Sequence, residues 1–252
     1  MSKKLICIDV NSNLREARKL MEKHKISRLL VKYKGNIIGI ITERDLAERF
    51  GSWRERRISD SKIHVSSAFT SHLLRVKEDD DLRKASEIML RNGISSVVVE
   101  RDGRITGIIT KTDLIRYLKN STKKVKDFMS KRVFSLEIGS SLLQARRIML
   151  ERGIKRLPIT LGGKIVGMIT EKDIAKALGL FRKISEGRHW DEKMKKIKVE
   201  HIMSKDIISI TPNDTLGKAV KVMLRKRISG LPVIENDRLV GIITKTDLIK
   251  AI

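Results

Sequence analysis

Apolar positions recur in this chain at a spacing that marks one face of a helix, and they do so four times. Leu14, Ala17, Leu20 and Met21 are separated by three, three and one residues, and the same stripe returns as Leu82, Ala85, Ile88, Met89, as Leu142, Ala145, Ile148, Met149 and as Leu216, Ala219, Val222, Met223. Asp, Ser and Asn residues just before the stripes offer N-caps. Behind each helix stands a short apolar or β-branched run that predicts a strand: Leu29–Val31, Val97–Val99, Leu157–Ile159 and Leu231–Ile234. A turn rich in Gly, Asn and Asp follows, then a second strand ending in Gly-x-x-Thr-x-x-Asp, where a second helix begins. Each unit reads strand, helix, strand, strand, helix, which makes the chain an α/β (α+β) protein.

The register of the repeat is strict. Counting from Ala17, Ala85, Ala145 and Ala219, an Ile follows at nine residues, a Gly at twenty-two (Gly39, Gly107, Gly167, Gly241) and an Asp at twenty-eight (Asp45, Asp113, Asp173, Asp247). Repeats at a fixed period define an architecture before any other feature is weighed. The copies occupy residues 1–50, 65–119, 125–179 and 199–252. Their intervals of 68, 60 and 74 residues pair copies one and two (1–119) and copies three and four (125–252). The longer connectors, Phe50–Val65 and Gly179–Val199, each hold a Trp (Trp53, Trp190) among basic residues: Arg54, Arg56 and Arg57 in one, Lys193, Lys195, Lys196 and Lys198 in the other. A single Trp in such a place more often anchors the connector than stacks on a base.

The repeated Thr-x-x-Asp has a structural and a functional reading. As a capping box it satisfies orphan N–H groups at a helix start, although Asp is shorter than the Glu or Gln that usually reaches back. A cap would also leave the two middle residues free, yet Thr110-Lys111-Thr112-Asp113 and Thr244-Lys245-Thr246-Asp247 are identical. As a ligand site, a helix N-terminus attracts phosphate and a carboxylate there accepts hydrogen bonds from ribose hydroxyls. The apolar strand beside it supplies a surface for a base. Nucleotide binding is the economical sum.

The chain resembles four CBS (cystathionine-β-synthase) motifs in tandem. The resemblance is carried by Val125-Lys-Asp-Phe-Met129 and Val199-Glu-His-Ile-Met203 at repeat starts, by Ile154-Lys-Arg-Leu-Pro158 and Ile228-Ser-Gly-Leu-Pro232 in the middle, and by Gly-x-x-Thr-x-x-Asp at the ends. It implies two Bateman modules in a pseudo-symmetric disk, a layout similar to the γ subunit of AMP-activated protein kinase and to archaeal four-motif proteins. Such clefts take AMP, ADP or ATP, less often S-adenosylmethionine. The resemblance further implies that Asp45, Asp113, Asp173 and Asp247 hold ribose, that Thr42, Thr110, Thr170 and Thr244 lie near phosphate, and that Arg28 and Arg156 contact phosphate. Lys111 and Lys245 stand where copies one and three have Glu43 and Glu171. A charge-assisted bond from an ammonium contributes about 1.5–3 kcal/mol, so the clefts of Asp113 and Asp247, with Thr112 and Thr246, are the ones expected to bind anions. Copy one starts at Met1 without the Val-x-x-Φ-Met lead-in, and copy two has Phe69 in place of that Met.

Composition changes the picture in two ways. The single cysteine, Cys7, excludes an internal disulfide, and no apolar run is long enough to span a membrane. A cytoplasmic protein is therefore expected. Gln144 is the only glutamine among abundant Lys, Arg, Glu and Ile, a bias of proteins from hot environments. The charge is the second feature: 55 Lys and Arg against 30 Asp and Glu give +25, divided as +12 for residues 1–124 and +13 for the remainder. An excess spread over the folded body points to a polyanionic partner, nucleic acid before membrane. The resemblance to archaeal CBS proteins, some of which hold ribosomes inactive, implies structured RNA, and the ribosome first, as that partner; DNA, a regulated protein partner and a homodimer of disks are the alternatives. Catalysis has no support. Gly162-Gly163-Lys164 is followed by Ile and is no phosphate loop, and the histidines (His24, His64, His72, His189, His201) have no metal-ligand spacing. No metal and no catalytic residue is expected.

Overall fold

A computed structural model describes residues 1–50, 61–184 and 196–252. Copy one comprises β1 (Cys7–Asp9), α1 (Leu14–His24), β2 (Arg28–Tyr33), β3 (Asn36–Thr42) and α2 (Glu43–Phe50). Copy two follows with β4 (Arg75–Lys77), α3 (Leu82–Arg91), β5 (Ser96–Arg101), β6 (Arg104–Thr110) and α4 (Lys111–Ile115). Copy three has β7 (Leu136–Glu137), α5 (Leu142–Glu151), β8 (Arg156–Leu161), β9 (Lys164–Thr170) and α6 (Glu171–Ile184). Copy four retains α7 (Leu216–Lys226), β10 (Gly230–Glu235), β11 (Arg238–Thr244) and α8 (Lys245–Ile249). Its first strand is reduced to one bridge, Ile210 to Val233.

Each copy folds for the reasons its pattern implies. The stripe residues Leu14, Ala17, Leu142, Ala145, Leu216 and Ala219 are fully buried, and each buried Leu contributes on the order of 2 kcal/mol. Asn13, Asp81, Ser141 and Thr215 cap the stripe helices with side-chain oxygens. A parallel strand and an antiparallel hairpin form each three-stranded sheet, β1-β2-β3, β4-β5-β6 and β7-β8-β9.

The chain divides into two compact units. One holds Met1–Leu5, Leu73–Val133 and Ile208–Ile252, the other Ile6–His72 and Phe134–Ile207. The first contains the bodies of copies two and four, the second those of copies one and three. This grouping differs from the pairing of neighbours along the chain, because the helices that start at Thr-x-x-Asp pack α4 on α8 and α2 on α6. The neighbour pairing survives in the lead-ins, which are exchanged. Ser2 bridges to Ile108 of copy two and Thr70 to Ile40 of copy one; Ser130 bridges to Ile242 of copy four and Ser204 to Met168 of copy three.

The repeated glycine makes this exchange possible. A Cβ on Gly107 would stand 2.7 Å from Met1 Sδ, and one on Gly241 2.6 Å from Met129 Sδ; Met203 crowds Gly167 and Phe69 crowds Gly39 in the same way. Met1 therefore occupies the lead-in position that the sequence pattern assigns to copies three and four alone. Among the described residues no helix is long and apolar enough to cross a membrane.

Candidate functional site

The four strand-to-helix junctions share one construction. The N–H of the residue after the Thr donates to the carbonyl just ahead of the first hairpin strand: Glu43 to Ser27, Lys111 to Ser95, Glu171 to Lys155 and Lys245 to Ser229, at 3.0–3.1 Å. That bond ties the helix start to the strand start. Oδ2 of each Asp accepts from the backbone N–H of its Thr at 2.7 Å in copy one and 2.9 Å in the other three. The same oxygen accepts from the Thr hydroxyl at 2.6–2.8 Å. The capping box is thus closed in all four copies, contrary to the expectation that Asp falls short. The extended backbone of the Thr (φ −120° and ψ 162° at Thr110) turns its N–H toward the carboxylate, so the shorter side chain reaches.

What distinguishes the copies is the other carboxylate oxygen. Asp247 is 4% exposed, and its Oδ1 lies 3.4 Å from both Ser130 Oγ and Lys250 Nζ. Asp45, Asp113 and Asp173 have no donor on Oδ1 among the described residues. Asp113 also lines a cleft of about 210 Å³ with Met1, Leu82, Ile109, Leu114, Arg116 and Tyr117. The sequence treats Asp113 and Asp247 as equivalent; the structure sets the first in a cleft of mixed polar and apolar lining with no donor on its Oδ1 among the described residues, and places Ser130 and Lys250 beside Oδ1 of the second.

Lys111 and Lys245 differ from expectation more sharply. Lys111, 7% exposed, sends its Nζ to Thr246 Oγ1 at 2.9 Å, and Lys245 Nζ reaches Thr112 Oγ1 at 2.7 Å. The identical Thr-Lys-Thr-Asp segments are thereby explained: α4 and α8 face each other and exchange one bond each way. Both ammonium groups serve this junction.

In the other unit the corresponding positions carry opposite charges. Arg44 Nε meets Glu171 Oε1 at 2.7 Å, and Lys172 is a charge partner of Glu43. Glu43 has its carboxyl pushed up to about 7, first by burial, with Glu171 and Asp173 adding and Lys172 and Arg28 opposing. Burial also raises Asp45, against the pull of the Thr42 hydrogen bonds. Lys155 is lowered, chiefly by burial; Glu171 opposes this while Arg44, Arg28 and Arg156 reinforce it. Arg28 and Arg156, assigned from separate copies, therefore both bear on the charge of Lys155. Arg44 Nη2 is buried without a hydrogen-bond partner.

Lys155 and Arg44 were not singled out by sequence reasoning. A signal existed for Lys155, since the same position is Ser27, Ser95 and Ser229 in the other copies. Of the basic connector residues, Arg54, Arg56, Arg57, Lys193 and Lys195 lie outside the described residues, as do Trp53 and Trp190. Lys196 is exposed, and Lys198 is half-buried at the start of a short turn that bridges to Ser141. No group of three or more potential metal ligands occurs among the described residues.

The CBS-domain model matches residues 1–52, 65–120, 125–180 and 199–252. Protein MJ1225 of Methanocaldococcus jannaschii is 28% identical over 99% of this chain and 95% of its own length. Its crystal structure, described as that of a candidate archaeal homologue of γ-AMPK, superposes with a TM-score of 0.89 at 26% identity, covering 100% of this chain and 97% of that one. A Thermofilum pendens protein, named as an uncharacterized 33.4 kDa protein in the ribosomal RNA operon, is 28% identical over 87% of this chain and 78% of its own. A conserved Pyrococcus horikoshii protein shares the fold, with a TM-score of 0.67 at 24% identity over 100% of this chain and 96% of that one. The matched residues span all four repeats read from the sequence, and the chain belongs to the CBS-domain family.

Proposed function

We propose that this protein is a non-catalytic regulator that binds an adenine nucleotide, AMP, ADP or ATP, at the Asp113 cleft. The observation that carries the reading is the pairing of a carboxylate oxygen that meets no donor among the described residues with an apolar wall of Ile109, Leu114 and Leu82. A base is held by such a wall, and ribose hydroxyls need an acceptor beside it. At about 210 Å³ the cleft is smaller than the roughly 300–1,000 Å³ of drug-sized pockets. It suits a nucleoside whose phosphates extend past the rim, where Arg116 stands. In the second unit, phosphates are proposed to lie against Arg28 and Arg156, with Lys155 and Arg44 adding charge beside Asp45, Asp173 and their Thr42 and Thr170. The description of MJ1225 as related to γ-AMPK supports nucleotide sensing. Equilibrium dialysis against AMP, ADP, ATP and S-adenosylmethionine tests the reading. Saturable retention of an adenylate supports it; retention of none overturns it.

A second reading, docking on RNA with the ribosome as the favoured target, is supported by the net charge of +25 and by the ribosomal RNA operon in the Thermofilum relative's name. Phosphate-backbone binding weakens steeply as salt rises. Co-sedimentation with ribosomal subunits that disappears between low and high salt is expected; none at low salt returns the account to a protein partner.

A further inference from the structure

The four stripe helices form an internal comparison that sets one of them apart. On α1, α3 and α5 an arginine has a carboxylate one turn away: Arg18, itself largely buried, and Glu22 at 3.2 Å, and the exposed pairs Arg91 and Glu87 at 3.8 Å and Arg147 and Glu151 at 3.9 Å. Helix α7 carries Lys218, Lys221, Arg225 and Lys226 with no carboxylate along its length, and none occurs between Asp214 and Glu235. This copy keeps the buried stripe and omits the neutralising residues of the other face.

A second basic segment lies against the same helix. Leu216 N–H donates to Lys123 O at 2.8 Å, Gly217 N–H to Ser121 O at 3.1 Å, Val125 N–H to Asp214 O and Lys126 N–H to Pro212 O at 2.9 Å. Gly217 permits the approach, since a Cβ there would stand 2.7 Å from Lys119 O. The segment exposes Lys119, Lys123, Lys124 and Lys126. Among the described residues Lys123 Nζ donates to the carbonyl of Ala251 and lies 5.6 Å from the centre of the Phe128 ring, and Lys124 Nζ donates to the carbonyl of Asn213. Of the nearby carboxylates, Asp214 is held by Lys218 at 2.7 Å, and Asp127 is the other in this stretch. Lys126, Lys221 and Arg225 meet no carboxylate among the described residues.

Uncompensated cations fixed on hydrogen-bonded backbone repel one another and favour a partner with closely spaced anions at its surface. A membrane would also call for apolar side chains to insert. Among the described residues the exposed large hydrophobics, such as Tyr33, Ile138 and Leu161, are on neither α7 nor the 119–126 segment, and Tyr117, two residues before Lys119, is the nearest in the chain. We propose that residues 119–126 and the outer face of α7 together dock on the phosphodiester backbone of a nucleic acid. The inference rests on the polyanion reading above and assigns it a surface.

The test uses the full chain and a labelled duplex of about 30 base pairs, as RNA and as DNA of the same sequence, across a KCl series. One variant carries Lys123→Gln, Lys126→Gln, Lys221→Gln and Arg225→Gln. A charge-matched control carries Lys19→Gln, Lys23→Gln, Arg83→Gln and Arg91→Gln, and melting curves verify that both remain folded. The first variant is expected to lose more than about tenfold in affinity at moderate salt and to flatten the salt slope by up to about 3.6, at about 0.9 for each of the four phosphate contacts. The control is expected to change about threefold or less. Preference for one duplex identifies the source of the phosphates. Equal losses in both variants would show that diffuse charge carries binding and would overturn the surface assignment. Failure of the unaltered protein to bind either duplex at low salt would instead overturn the polyanion reading itself.

Discussion

Lys111 and Thr246 are 135 residues apart in the chain and 2.9 Å apart at their side-chain tips, and Lys245 repeats the bond to Thr112 at 2.7 Å. The two bonds join α4 to α8 and place two ammonium groups at one helix junction. A hydrogen bond to a charged group contributes about 1.5–3 kcal/mol. Lys111→Met is therefore expected to destabilise the protein by about 1–3 kcal/mol in urea unfolding, and Thr246→Val by a similar amount. The double variant should cost less than the sum, by about 1 kcal/mol. Full additivity would mean that the bond contributes nothing.

The second unit predicts a pH dependence. Glu43 holds its proton to about pH 7, against an ordinary value of 4.5. Between those limits the folded state binds more protons than the unfolded one, so Glu43 lowers stability as pH rises through the window. Above pH 7 its penalty is constant. Glu43→Gln mimics the protonated form and should be more stable than the parent at pH 8, by on the order of 2–3 kcal/mol, with little difference at pH 4.5. Chemical unfolding at the two values decides it. A variant destabilised at pH 8 would show that the charged carboxylate is a net stabilising partner of Lys172 and Arg28.

The lead-in exchange predicts an order among glycine substitutions. Gly39→Ala would drive its methyl into both the Phe69 ring and the backbone carbonyl of Thr70, whereas Gly107→Ala meets first the flexible end of Met1. Overpacking against backbone typically costs about 1–3 kcal/mol. Gly39→Ala should lower the melting temperature more than Gly107→Ala, read by calorimetry. The reverse order would mean that the lead-in of copy two is the softer of the two.

Much of this was legible along the chain. Leu14, Ala17 and Met21 announce a helix face because their spacing is a property of the sequence alone, and they are buried as that spacing requires. The Thr-x-x-Asp junctions are equally local, and all four form where expected. Facing relationships are not local. Nothing in the spacing of Lys111 says that its ammonium will meet Thr246, because that depends on which copies pack together. Asp247 looks equivalent to Asp113 until Ser130, 117 residues away, is placed on its Oδ1. The repeat did hold one unread signal, the Lys155 that replaces a serine present in the three other copies.

The central claim concerns one carboxylate oxygen, and the chain supplies its own control. Asp→Asn leaves one oxygen to accept the capping bonds and turns the other position into a donor, which a ribose hydroxyl pair tolerates poorly. Calorimetric titration of the adenylate retained in dialysis into Asp113→Asn and Asp247→Asn is the most direct measurement. The account predicts at least about a tenfold loss of affinity for Asp113→Asn with an unchanged melting temperature. For Asp247→Asn, whose Oδ1 serves Ser130 and Lys250, it predicts a lowered melting temperature and unaltered affinity at the Asp113 cleft. Undiminished adenylate binding by folded Asp113→Asn would contradict it.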